Sequence, residues 1–348
     1  MKTACVLSLI AMGIASLAGC NENEEMIAPK ASPQGYPFEI PAWDYSTNHF
    51  FVDTTYRQFY EPYYQSNPPN VHSATQVVEE EMWIQQPNGF PGSPGRHGIA
   101  FISLPPRPEQ GYDSTLRSMT EVPGEIEVGS FQRITRPEYE MTGDGYLGVV
   151  FFKRGFFDQR VIGISYQRFD GAQYGDFSWQ ATDSSSPLIL KMVKPRNLLS
   201  NGPAYRVAWN QLLKNIYAIG VGGGSLSEVG FNLDIVYGPT PSGSANSILG
   251  HPLLRVLGLD RYNFDGTFAP NGDGVFDFRP GATIDPAEGE IILPYLRPFD
   301  GGIKEYFIAN SLPFPDSAYL APGIYDTTRT FAALASPYFK LSGRAQFH

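Results

Sequence analysis

Residues 160–179 decide the fold class: Arg160-Val-Ile-Gly-Ile-Ser-Tyr-Gln-Arg-Phe169-Asp170-Gly171-Ala172-Gln-Tyr-Gly-Asp-Phe-Ser-Trp179. Apolar and aromatic side chains fill both arms, and Asp170-Gly171 sits between them. Aspartate followed by glycine suits the positive φ angles of a type I′ turn, whose twist matches that of two antiparallel strands. The stretch predicts a β-hairpin with arms at 160–169 and 172–179. Alternation with period two recurs on both sides of it. Strands are expected at 77–85, 99–102, 125–128, 146–152, 231–237, 290–293 and 338–346. Residues 85–98 hold Pro87, Gly89, Pro91, Gly92, Pro94 and Gly95 and predict a loop.

Helices are fewer. Gly202-Pro203 opens one, with proline at the first helical position. Tyr205, Ala208, Trp209, Leu212, Ile216 and Ile219 follow at three- and four-residue spacing, and Gly220 suits a left-handed stop. Asp326 is placed to cap a second helix over 327–335. Strands outnumber helices and no βαβ rhythm is present. The expected class is mainly β, a β-rich α+β fold of antiparallel, sandwich-like sheets with one or two covering helices. Its span is 41–348, with room for a break between two lobes near residue 200. A small transmembrane barrel is the structural rival. Its strands need about nine to eleven alternating residues, and several candidates here are shorter and broken by proline.

The 348 residues suffice for a sizeable core. The net charge of −10 speaks against a nucleic-acid footprint. At the N-terminus, Lys2 precedes an apolar stretch from Ala4 to Ser16, too short to remain as a spanning helix. Leu17-Ala18-Gly19-Cys20 then resembles a bacterial lipobox. That resemblance implies a signal peptide over 1–19, cleavage before Cys20, and lipid on the Cys20 thiol and new amino group. Cys5 would leave with the signal, so the mature chain would hold no disulfide. Asn21 to Glu25 open an acidic, flexible tether expected over 20–40. An acidic tract in that place also resembles a surface-export signal of outer-membrane lipoproteins.

Enzyme signatures are scarce. H-E-x-x-H, C-x-x-C, G-x-S-x-G and P-loop patterns are absent, and His49, His72, His97, His251 and His348 are not spaced for a shared metal. A Ser-His-acid set would have to be assembled in space. Glu79, Glu80 and Glu81 read as the wet end of a strand. Gly220-Val-Gly-Gly-Gly224 follows a helix instead of opening one, so it reads as a loop and not as a dinucleotide site.

The densest polar segment is 260–277. Asp260, Asn263, Asp265, Asn271, Asp273 and Asp277 place hard oxygen ligands among glycines, which suits Ca²⁺. Asx and glycine turns account for the same residues without a metal. Both readings stay open at this point.

Several ordered phrases resemble one family. Leu188-Ile-Leu-Lys-Met-Val-Lys-Pro-Arg-Asn197 is followed by Leu213-Lys-Asn-Ile-Tyr217. Then come Leu257-Gly-Leu-Asp260, Asp273-Gly-Val-Phe-Asp-Phe278, Thr283-Ile-Asp-Pro286, Gly289-Glu-Ile-Ile292 and Pro298-Phe299. Tyr325-Asp-Thr-Thr328 and Phe339-Lys-Leu-Ser-Gly343 close the series, and Val161–Trp179 precedes it. Together, over roughly residues 75–345, they resemble the SprA family of gliding-motility and type IX secretion proteins of the outer membrane. Members are several times longer and form a very large barrel, so a stand-alone or split module is expected here. The resemblance implies no catalytic residues and no metal role for the Asp273–Phe278 phrase. It implies a non-enzymatic, lipid-anchored envelope protein, at the periplasmic face or the cell surface, that acts with outer-membrane secretion or motility partners. The alternatives are a surface adhesion or glycan-binding lipoprotein, with Ca²⁺ at 260–277, and a secreted hydrolase.

Overall fold

The computed structural model describes residues 35–87, 95–153, 159–220, 224–240, 243–269, 271–335 and 338–348. The first half runs β1 (Tyr36–Pro41), β2 (His49–Phe51), α1 (Arg57–Gln65), β3 (Val77–Gln85), β4 (Arg96–Phe101) and α2 (Ser114–Arg117). It continues with β5 (Ile126–Ile134), β6 (Tyr139–Thr142), β7 (Val149–Phe152), β8 (Ile162–Arg168), β9 (Gln173–Tyr174) and β10 (Leu188–Lys194). The second half runs α3 (Pro203–Gln211), β11 (Ile216–Ala218), β12 (Asn232–Thr240), β13 (Gly243–Ala245), β14 (Ser247–Ile248), β15 (His251–Pro252) and α4 (Leu253–Val256). It ends with β16 (Ile284–Asp285), β17 (Glu290–Ile292), α5 (Ile303–Ala309), α6 (Gly323–Asp326), α7 (Arg329–Leu334) and β18 (Phe339–Ala345). The protein is a β-rich α+β fold whose sheets are mostly antiparallel.

The largest sheet closes on itself. Its order is β10-β4-β5-β3-β8, and β8 pairs back to β10. One contact of the ring, β4 with β10, is parallel. Trp83, Ala100, Phe131, Leu188, Leu190 and Met192 fill the space the ring encloses, joined by Val161 and Ala208. Small and large residues interdigitate there, as closed sheets of few strands require. A Cβ on Gly163 would come within 2.9 Å of the Leu190 side chain. Met82, Ile84, Ile162, Ile164 and Tyr166 face outward into a second, larger core shared with the C-terminal half.

That half is organised by the sheet β1-β18-β12-β13. Ala42 donates to Phe339 O at 2.9 Å, which sets the parity of the β1–β18 ladder. Residues 36, 38 and 40 turn their backbone groups to β18, and Pro37, Glu39 and Pro41 face outward. Two of three outward positions thus lack an N–H. This is how natural edge strands are blunted against further pairing.

Several expectations change. The hairpin forms, with Tyr166 opposite Tyr174 and their rings stacked at 4.9 Å. Its turn is not type I′. Among the turn residues only Gly171 has positive φ, at 87°. Gly171 donates to Arg168 O and Arg168 donates to Ala172 O, each at 2.9 Å, as in a type I turn closed by a glycine bulge. Asp170 Oδ1 accepts from Ala172 N at 3.1 Å, and the other carboxylate oxygen pairs with Arg168. The returning arm is short because Asp176 leaves the ladder to meet Arg107 and Arg117 at 2.9 and 3.0 Å.

The helix expected to reach Ile219 stops at Gln211. The buried Gln211 amide donates to the carbonyls of Phe51, Met192 and Val193, and Leu212 turns extended. Ile216–Ala218 then pair with Glu290–Ile292 as strands. Tertiary pairing overrides the helical stripe. Asp326 does not cap a helix; it pairs bidentately with Arg297 at 2.6 and 2.8 Å. Glu81 is not at a wet end. It is buried, accepts from Ser178 N and Oγ at 2.7 Å, and pairs with Arg133. The tether expected over 20–40 gives way to β1 at Tyr36. Residues 1–34, with Cys20, lie outside the described residues, as do 88–94 of the proline-glycine loop and 221–223 of the glycine run. Gly35–His348 form one compact unit. Among the described residues no helix is long and apolar enough to cross a membrane.

Candidate functional site

Asp260 follows α4 and its side chain is fully buried. Its two oxygens accept from Asp273 N at 2.9 Å and Gly274 N at 3.1 Å. Asp277 answers from the other end: one oxygen accepts from Arg261 N at 2.6 Å, and its own N–H donates to Leu259 O. The two aspartates therefore staple the segment into a closed loop. Gly272 lies against the Asp260 carboxylate so closely that any Cβ would overlap it.

Between the staples, Asp265 accepts from Thr267 N and Oγ at 2.9 and 2.6 Å, and Asn263 donates to Thr267 Oγ at 3.1 Å. Asp273 accepts from Val275 N at 3.0 Å. Asn271 lies exposed at the turn before Gly272. The six residues singled out for Ca²⁺ thus share one loop, but each engaged carboxylate serves a backbone amide, as in Asx turns. Among the described residues no three His, Cys, Asp or Glu side chains come together as a metal-ligating group.

The loop does create a negative field. Burial pushes the Asp277 carboxyl up to about 6, and the nearby charges of Asp260 and Asp273 push the same way. Burial also raises Asp260. Asp265 lies on the surface and is lowered by its bonds to Thr267.

This loop forms one wall of a groove of about 540 Å³. The other wall is Phe231–Asp234 at the start of β12. Aromatic rings build the groove: Phe231 packs on Phe276 and Phe278, each at 5.4 Å. The Arg279 guanidinium lies 3.7 Å over the Tyr262 ring. Glu228, Asp234, Asp273 and Asp277 supply the lining carboxylates. Phe264 at the rim is fully exposed, and Val275, also in the lining, is exposed too. A groove of this kind, apolar beneath and anionic around, has the make-up of a binding surface.

Sequence reasoning missed a second constellation. Ser46 Oγ lies 3.3 Å from His49 Nδ1, and His49 Nε2 lies 3.1 Å from Glu290 Oε2. The order serine–histidine–acid is that of a hydrolase relay. The surroundings are not. His49 and Glu290 are both buried, and the imidazole stacks on Phe151 at 4.6 Å. None of the three lines the groove or the other cavities found at residues 237–339, 57–325 and 45–330. The set ties β2 to β17. Nothing in the sequence signals it, because His49 and Glu290 belong to two different sheets and meet only where those sheets pack together.

The Leu213–Tyr217 phrase also finds a physical role. The buried Lys214 amino group donates to Trp209 O and Leu212 O at 2.6 and 3.1 Å, closing the C-terminus of α3. Asn215 donates to Tyr60 Oη at 2.8 Å and Leu293 O at 2.7 Å. Tyr217 Oη donates to Ala42 O at 2.8 Å. These polar groups hold segments together.

Neither a family model nor a curated protein matches the chain.

Proposed function

We propose that this chain is a non-enzymatic, lipid-anchored protein of the outer membrane, associated with type IX secretion or gliding motility, and that it acts by assembling with partner proteins. One observation carries the reading: the phrases that resemble the SprA family are one another's packing partners. The carbonyls of Met192 and Val193 accept from Gln211, which leads into the Leu213–Tyr217 phrase. Asn215 reaches Leu293 O, directly after the Gly289–Ile292 phrase. Leu259 O accepts from Asp277 N, joining two further phrases. Phe299 N–H donates to Tyr325 Oη at 2.9 Å, and its ring lies tilted against Phe339 with centroids 4.8 Å apart. Phrases far apart in sequence thus make a single core, as the folded module of a longer architecture requires.

Crosslinking in the native outer membrane, followed by recovery of the protein, tests the reading. Co-recovery of a large barrel or of other secretion-channel components is expected. Recovery of only lipid and surface polysaccharide overturns it. Cys20→Ala provides the anchoring control, with loss of acyl labelling and of membrane association expected.

A further inference from the structure

The four-stranded sheet has two edges of opposite character. At β1, Pro37 and Pro41 remove outward N–H donors and Glu39 adds charge. At β12 the proline, Pro239, comes only near the end of the strand, and the earlier outward positions Leu233 and Ile235 keep their N–H groups. Gly238 donates to Tyr338 O at 3.1 Å, which fixes the parity of the β12–β18 ladder. Asn232, Asp234 and Val236 turn their backbone groups to β18, and Leu233 and Ile235 turn theirs to the opposite side. Among the described residues no strand pairs with β12 there, because β13 meets it only at Tyr237 and Thr240.

The groove lies along this stretch, at Phe231–Asp234. We infer that it accepts an extended, lysine- or arginine-bearing segment of a partner chain, added as a strand to the free edge of β12. Strand addition uses main-chain bonds for affinity and alternate side chains for specificity. The chemistry of those side chains follows from the lining. Asp234, Asp273 and Asp277 face a segment laid in the groove, and the lining cation, Arg279, is already seated on Tyr262. The aromatic floor of Phe231, Phe276 and Phe278 suits aliphatic stems and cationic heads alike. Exposed Phe264 and Val275 give the rim apolar area to bury on docking. The inference deepens the assembly reading above by naming a surface and the chemistry of its partner.

Purified protein and synthetic peptides test it, so failure here is distinct from failure of the membrane crosslinking. The probes are an alternating lysine–valine octapeptide, its glutamate–valine counterpart, and a lysine–valine version N-methylated at alternate amides. Calorimetry is expected to show saturable binding of the first alone, weakened by salt. Asp234→Lys, at an exposed position outside the loop's hydrogen bonds, should weaken it by about tenfold, with an unchanged circular dichroism spectrum. Equal binding of the glutamate peptide, indifference to N-methylation, or indifference to Asp234→Lys each overturns the proposal. So does an absence of peptide binding by the folded protein, including the case in which a neutral hexasaccharide binds the groove instead.

Discussion

The Lys191 ammonium, fully buried on β10, lies 2.9 Å from the Asp53 carboxylate. Burial alone pulls the lysine's pKa down, and Asp53 opposes that pull. The ammonium also donates to Ile102 O, so one charge joins β10, the residue after β4, and the turn before α1. Removing one partner of such a pair strands a buried charge, at a cost of about 3–5 kcal/mol. Asp53→Ala is expected to destabilise by about that amount in urea unfolding. Lys191→Met combined with Asp53→Ala should recover much of it. A single-variant loss below about 0.5 kcal/mol would show that water reaches the ammonium.

Asp277 makes stability depend on pH. Its folded pKa of about 6 lies above the ordinary 3.8, so the folded state holds the proton more tightly. Its contribution is present in full below 3.8 and is lost as pH rises through about 6. Asp260 is shifted in the same direction and adds to the trend. Asp277→Asn keeps an oxygen for Arg261 N and removes the titration. Thermal unfolding of the variant should vary less with pH across that window than the parent. Parallel profiles would locate the proton elsewhere.

Ser46, His49 and Glu290 are predicted to be structural. A fluorophosphonate reagent is expected to leave Ser46 unmodified. Glu290→Ala should cost about 1–3 kcal/mol because it strands the buried imidazole, whereas Ser46→Ala should cost less. Covalent labelling at Ser46, found by peptide mass mapping, would make this set the nucleophilic centre of a hydrolase.

Asn215 offers a cleaner test of the family-like phrase. Asn215→Leu keeps the volume and takes the amide donor from both Tyr60 Oη and Leu293 O, leaving Leu293 O only the long 3.5 Å bond from the Tyr60 hydroxyl. The expected loss is about 1–3 kcal/mol, read from the shift of the urea midpoint at constant slope. A neutral result would mean that the two oxygens find other partners.

What was legible in the sequence was the local part. The alternation of Leu233, Ile235 and Tyr237 marks β12, and those three side chains are indeed buried. Val77–Gln85 is a strand with the predicted bounds. Where long-range pairing competes with local pattern, the local reading fails. Ile216 fits a helical stripe, yet its backbone is claimed by Ile292. Asp326 has the form of a cap, but Arg297, 29 residues away, binds it more strongly than a helix end could. The site was legible by halves. Residues 260–277 could be read as a polar loop with glycine turns, because those signals are local. Its opposite wall at Phe231–Asp234 could not, because an unpaired strand edge is defined by what fails to arrive beside it.

The closed ring sets a timetable for the chain. β4 ends at Phe101, yet one of its two neighbours, β10, begins only at Leu188. A chain emerging from its N-terminus must expose that side of β4 until more than eighty further residues have followed. Pairings this distant in sequence are slow to form and leave edges open meanwhile. Until Leu188–Lys194 seal the ring, β4 offers an unprotected flank to any neighbouring chain.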